Sequence, residues 1–164
     1  MKRLVALAAI LFFILGCGGS KTEKTEVEMH QALQNDATDY YTEGLKFIEK
    51  AAVPEAVQSF QKAIRKNPND IRAYLILGEV NMRLKNYQGA IDTLKASLNV
   101  DPNNGGAYYL LAVSTGLKGD REEAVKYAQR SAVIFKDKKD EENLKKSLTL
   151  VQGLSGAGPI PTQP

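Results

Sequence analysis

ATDYYTEGLKFIEKAAVPEAVQSFQKAIRKNPND (37–70) runs directly into IRAYLILGEVNMRLKNYQGAIDTLKASLNVDPNN (71–104) and then GGAYYLLAVSTGLKGDREEAVKYAQRSAVIFK (105–136). Laid over one another at an interval of 34 residues, the stretches align Tyr40 with Tyr74 and Tyr108, Gly44 with Gly78 and Ala112, and Ala56 with Ala90 and Ala124. Pro68 and Pro102 close the first two. A fixed period of this length marks one supersecondary unit used repeatedly, because a single unit cannot bury its own apolar face and needs a neighbour to do so. Stacked units present a surface and seldom enclose a reaction centre.

Within each unit the apolar spacing is helical, and turn signals bound the helices. Asp36, with Asp39 three residues on, precedes a first helix; Asp70 precedes the second pair; Asp120 with Glu123 has capping-box spacing. Pro54 suits the first turn of a helix, where its missing N–H would be unpaired anyway. Asn67-Pro68-Asn69 and Asp101-Pro102-Asn103 stop one hairpin before the next begins. These signals predict helices near 37–50, 54–66, 71–84, 87–99, 105–117 and 121–135, with a seventh from about Lys138 to Gly153. Loops this short make neighbouring helices antiparallel, giving an all-α array without strands.

The pattern resembles the tetratricopeptide repeat. The first copy matches at Tyr40, Gly44, Phe47, Ala56, Phe60, Ala63 and Pro68, and the second at Tyr74, Leu77, Gly78, Ala90, Leu94 and Pro102. The third keeps Tyr108, Leu111, Ala112 and Ala124, with Ala128 at the large apolar position and Lys136 in place of proline. Glu43, Asn81 and Ser97 are further departures. The resemblance implies a right-handed α-solenoid of three helical hairpins, 37–70, 71–104 and 105–136. A capping helix over 137–154 follows, with Leu144, Leu148 and Val151 as its sealing face. Gly44 and Ala56 are read as small residues on facing helices that let the backbones approach. Residues 155–164, rich in Gly and Pro, are read as a disordered tail.

Ahead of the array the composition changes twice. Lys2 and Arg3 precede an uncharged apolar run, Leu4 to Leu15, and then Gly16, Gly18 and Gly19. That is the order of a secretory signal, in a run too short to span a membrane. Ile14-Leu15-Gly16-Cys17 resembles the lipobox of bacterial lipoproteins, which implies a signal peptide over 1–16 and a covalent lipid on Cys17. Gly18, in place of an aspartate, implies the outer membrane, facing the periplasm, over the inner membrane. Cys17 is the sole cysteine, so no intrachain disulfide competes for it. Residues 17–36, with Lys21, Glu23, Lys24, Glu26 and Glu28, read as a polar, solvated tether; a short extra helix through Val27, Met29 and Leu33 is the alternative.

The inventory argues against catalysis. His30 is the sole histidine and lies in the tether, no Gly-rich phosphate loop is present, and the carboxylates sit at helix starts and exposed positions. The formal charge of +3 includes Lys2 and Arg3, leaving a nearly neutral remainder with no basic stripe for nucleic acid. No cofactor, metal or small-molecule substrate is expected.

A protein partner in the cell envelope is expected instead. By resemblance, the groove-facing positions of the first helices are Tyr41, Leu45 and Ile48, then Leu75, Glu79 and Met82, then Tyr109, Val113 and Gly116. This largely apolar face suits a hydrophobic peptide or an amphipathic helix. It lacks the Lys/Asn/Arg set with which some family members hold a terminal carboxylate, the matching positions being Tyr41, Leu45, Ile76, Gly106 and Leu110. The expected function is thus a membrane-anchored adaptor. The alternative is a self-assembling or accessory component of a pilus, secretion or outer-membrane assembly complex with no groove ligand.

Overall fold

The computed structural model describes residues 20–156, with side chains from Glu26 onward. The apolar leader, Cys17 and residues 157–164 lie outside the described residues. Among the described residues there are seven α-helices and no strand: α1 (Ser20–Glu49), α2 (Val53–Lys66), α3 (Ile71–Arg83), α4 (Tyr87–Val100), α5 (Gly105–Lys118), α6 (Arg121–Asp137) and α7 (Glu141–Ser155). None of these helices is long and apolar enough to cross a membrane.

The chain divides into two units, residues 1–32 and 33–164. In the first, the described residues are helical from Ser20, with Val27 and Met29 64% and 62% exposed. Of the two readings of this stretch, the structure has the helix through Val27, Met29 and Leu33, longer than expected and continuous with the first helix of the array. Between Ser20 and Glu43 there is no Gly or Pro, and Lys, Glu, Gln and Ala form helix at little cost. A missing apolar period decides whether a helix packs, not whether it forms.

In the second unit, α3 and α4, and α5 and α6, are successive hairpins, and α5 also lies against both α3 and α7. The end of α1 pairs with α2 in the same way, through Tyr41 on Phe60 and Glu43 on Ser59. Asp36 is not a cap, because α1 runs through it; its carboxylate instead accepts a hydrogen bond from Lys66 Nζ of α2 at 3.2 Å. Asp70 does cap α3, accepting from the Arg72 backbone N–H at 3.1 Å. Asn86, Asn104 and Asp140 cap α4, α5 and α7 in the same manner. Asp120 occupies the cap position of α6 without a cap bond, its carboxylate lying 3.1 Å from Lys118 Nζ.

The close approach inside each hairpin has a different geometry from the one expected. A Cβ at Gly44 would lie 2.8 Å from the Phe60 ring, and one at Gly78 would lie 2.7 Å from the Leu94 side chain. The small residue therefore makes room for a large side chain four residues beyond Ala56 or Ala90. In the third hairpin Ala112 and Ala128 stand at the corresponding positions, both fully buried in one cluster. Ala128, a departure from the family pattern, is thus paired with a larger residue at the small position.

The tyrosines that open the repeats differ in their partners. Lys62 lies over Tyr40 at 5.4 Å and Arg130 over Tyr108 at 5.9 Å. The matching position in the second copy is Ala96, and the Tyr74 hydroxyl donates to the Pro68 carbonyl at 3.1 Å.

Helix α7 covers the third hairpin, but through another face than the sequence suggests. Ser147, Leu150 and Leu154 are buried, whereas Leu148 is 48% exposed. Polar Ser147 can face inward because its single hydroxyl proton has two acceptors in reach, Ser131 Oγ at 2.9 Å and the Asn143 carbonyl at 2.8 Å. With Ser131 donating to the Gly105 carbonyl at 2.9 Å, donation from Ser147 to Ser131 completes a buried chain of bonds from α7 through α6 to α5.

Candidate functional site

Helices α3, α5 and α7 lie side by side, and a cleft of about 200 Å³ opens between them. Leu75 and Glu79 come from α3, Gly106, Tyr109 and Leu110 from α5, Phe135 from the end of α6, and Asn143 and Lys146 from α7. Phe135 can reach this position because Gly105 has no side chain: a Cβ there would lie 2.9 Å from the ring.

Of the groove positions expected from the sequence, the cleft brings together Leu75, Glu79 and Tyr109. Tyr41, Leu45 and Ile48 instead pack as half-buried residues against Phe60, Leu77 and Val80. The Tyr41 ring meets Phe60 edge-on, with centroids 5.7 Å apart, and the Arg72 guanidinium lies 4.9 Å from its centre. Val113 is only 7% exposed, in a cluster with Leu150 and Leu154 of α7; Met82 packs on that cluster and Gly116 is buried. The covering helix thus takes up the lower part of the expected groove.

Phe135, Asn143 and Lys146 belong to the cleft but not to the expected set, because α7 reads as a cover and not as a wall. The period carries a usable signal here. Counting on by 34 from Tyr109 reaches Asn143, and from Val113 reaches Ser147, so α7 continues the series of first helices. It touches α5 as α5 touches α3.

Electrostatically the cleft is uneven. Burial pushes the Glu79 carboxyl above its ordinary value, with Arg83 acting weakly in the other direction. Burial also raises the Tyr109 phenol, opposed by Lys146. Lys146 Nζ lies 2.7 Å from Glu142 Oε1, and that hydrogen bond raises its own value. Among the described residues no three His, Cys, Asp or Glu side chains are grouped to hold a metal. The arrangement suits recognition: apolar walls, a phenol and a carboxylate on rigid helices.

Comparison with known proteins points to the same fold. Residues 48–115 match the family model described as tetratricopeptide repeat. The human PEX5-related protein is 33% identical over 84 residues, which is 51% of this chain but 13% of that protein, so the likeness is to a small part of a longer chain. Among solved structures, the TPR2B domain of yeast Sti1, in its complex with pHsp70, superposes with a TM-score of 0.69 at 20% identity, covering 73% of this chain and 96% of that one. PcrH from Pseudomonas aeruginosa does so with a TM-score of 0.69 at 16% identity, covering 75% and 94%. At these identities the structural likeness establishes the fold alone.

Proposed function

Because this is a tetratricopeptide-repeat protein, we propose that it is an adaptor of the bacterial cell envelope, anchored by lipid at Cys17, that holds an extended or helical segment of a protein partner in the cleft. The observation that carries this reading is the convergence of Leu75, Tyr109 and Leu110 from adjacent helices on a cleft that no other part of the described chain fills. Apolar side chains left half-exposed on rigid helices favour association with a partner that covers them. The lipid anchor rests on Ile14-Leu15-Gly16-Cys17 at the end of an apolar leader. Two or more acyl chains would hold the chain stably on a membrane, at about 0.8 kcal/mol per buried methylene.

A photo-crosslinking side chain placed at Leu110 in living cells tests the cleft. The expected result is one discrete adduct with a different protein, lost when Leu75→Glu is added while circular dichroism shows the helices retained. Fatty-acid labelling tests the anchor: the label is expected on the wild-type chain and absent from Cys17→Ala.

A second reading is favoured by a different feature. The outer side of α7 carries a hollow of about 320 Å³ lined by Leu144 and Leu148 among Glu141, Lys145, Thr149 and Gln152. An uncovered apolar pair on the terminal helix suits assembly with another copy or an accessory role in a larger envelope complex. Adducts of the chain only with itself would favour that reading over the adaptor.

A further inference from the structure

The chemistry of the cleft restricts what can enter it, given that it is a docking site. Its charged lining residues are Glu79 and Lys146. Lys146 is matched within α7 by Glu142. Glu79 has no hydrogen bond and no ion pair within 4.0 Å among the described residues, and Arg83 reaches it only through longer-range charge. A half-buried carboxylate without a partner is destabilised by lost hydration, and a cation supplied from outside relieves it.

The repeat itself shows where a basic side chain finds room, although at the first junction its charge is met by Asp70, whose counterpart 34 residues on is Asn104. At the first junction Arg72 lays its guanidinium 4.9 Å from the centre of the Tyr41 ring. Counting on by 34 residues, Tyr41 becomes Leu75 and Arg72 becomes Gly106. Both line the cleft. The volume that an arginine side chain fills at one junction is therefore left open at the next, beside an unpaired carboxylate. A Cβ at Gly106 would meet only Asn104 Oδ1 within 4 Å, at 3.3 Å, so the opening is real space.

We propose that the cleft receives a partner segment through an arginine or lysine side chain that pairs with Glu79, while apolar neighbours in that segment pack on Leu75, Leu110 and Phe135. The aliphatic stem of such a residue is suited to these walls, and its charged head to the carboxylate.

The test uses the chain expressed from its full sequence and purified in detergent, panned against displayed short random peptides. Wild type, Glu79→Gln and Gly106→Arg are compared after circular dichroism shows each to be helical. Selected peptides are expected to be enriched several-fold in Arg or Lys next to Leu, Ile or Phe. The best of them should bind Glu79→Gln roughly tenfold more weakly, the loss of one charge-assisted bond. Gly106→Arg, which refills the opening from within, should not bind it. Apolar peptides that bind without basic enrichment, yet are excluded by Gly106→Arg, overturn the cation claim and leave the docking cleft standing, as does enrichment in acidic residues. Absence of any binder sensitive to Gly106→Arg overturns both.

Discussion

The first two hairpins and the third fill their crossings in different ways. Gly44 faces Phe60 and Gly78 faces Leu94, whereas Ala112 and Ala128 stand at the matching positions of the third. One added methyl does not replace a ring or an isobutyl group, so the two alanines are no exchange of equal volume. They are buried in one cluster with Leu150 and Leu154, so at the end of the stack the covering helix supplies apolar bulk that Ala128 lacks.

Removing the large partner should have the greatest effect. Phe60→Ala is expected to destabilise by about 3–5 kcal/mol, because a fully buried ring leaves a cavity, while Gly44→Ala/Phe60→Ala should cost clearly less than the two single changes added together. Urea midpoints of the four proteins measure the coupling; simple additivity would break the idea of a paired volume. Gly78→Leu comes next. With Leu94 already 2.7 Å from a Cβ, overpacking should cost about 1–3 kcal/mol and lower the melting temperature by several degrees. An unchanged transition would mean the two side chains do not compete for the space.

Turns in matching positions extend the comparison to the backbone. Ala51, Lys85 and Gly119, spaced by 34, all have positive φ, at 55°, 57° and 111°. Gly119 has open space around its missing Cβ. Gly119→Ala should therefore destabilise by backbone strain alone, and Lys85→Gly should stabilise, each by about 1 kcal/mol. Thermal melts that leave both unchanged would remove this account.

The smallest effect separates two carboxylates on either end of α3. Hydrogen bonding from the Arg72 side chain holds Asp70 below its ordinary value, so its contribution is present above the ordinary aspartate range and is lost as pH falls through the lowered value. Burial raises Glu79, so the stability tied to its protonated form is present below the ordinary glutamate range and lost as pH rises through the raised value. Glu79→Gln should thus raise the urea midpoint slightly near neutral pH and not near pH 4, whereas Asp70→Asn should lower it near neutral pH. A Glu79→Gln protein less stable than wild type at neutral pH would mean that the carboxylate has a favourable partner after all.

Much of the fold was legible because spacing alone determines which side chains share a helix face. The hairpin limits follow from Pro54, Pro68, Pro102 and the Asp70 cap, whose effects act over a few residues. The site was less legible. Leu75, Glu79 and Tyr109 fall in register, but Phe135 reaches the cleft only because Gly105, thirty residues earlier, leaves space for it. Leu144, Leu148 and Val151 read as the sealing face of α7, but the helix is turned so that Leu150, Leu154 and the hydrogen-bonded Ser147 are buried and Leu148 is exposed. The helix from Ser20 corresponds to the alternative through Val27, Met29 and Leu33, but it is longer and continuous with the first helix of the array, since nothing between them breaks it.

The 34-residue period and its turn residues by themselves determine that this chain is an all-α stack of hairpins, since local spacing and backbone geometry suffice for that. Three-dimensional packing settles which face of α7 turns inward, how Gly44, Gly78 and Ala112 divide volume with their partners, and that Glu79 stands unpaired in a cleft. Those outcomes depend on whether a side chain finds room and hydrogen-bond partners on other helices, and such partners are set by packing across the stack and not by neighbours in the chain.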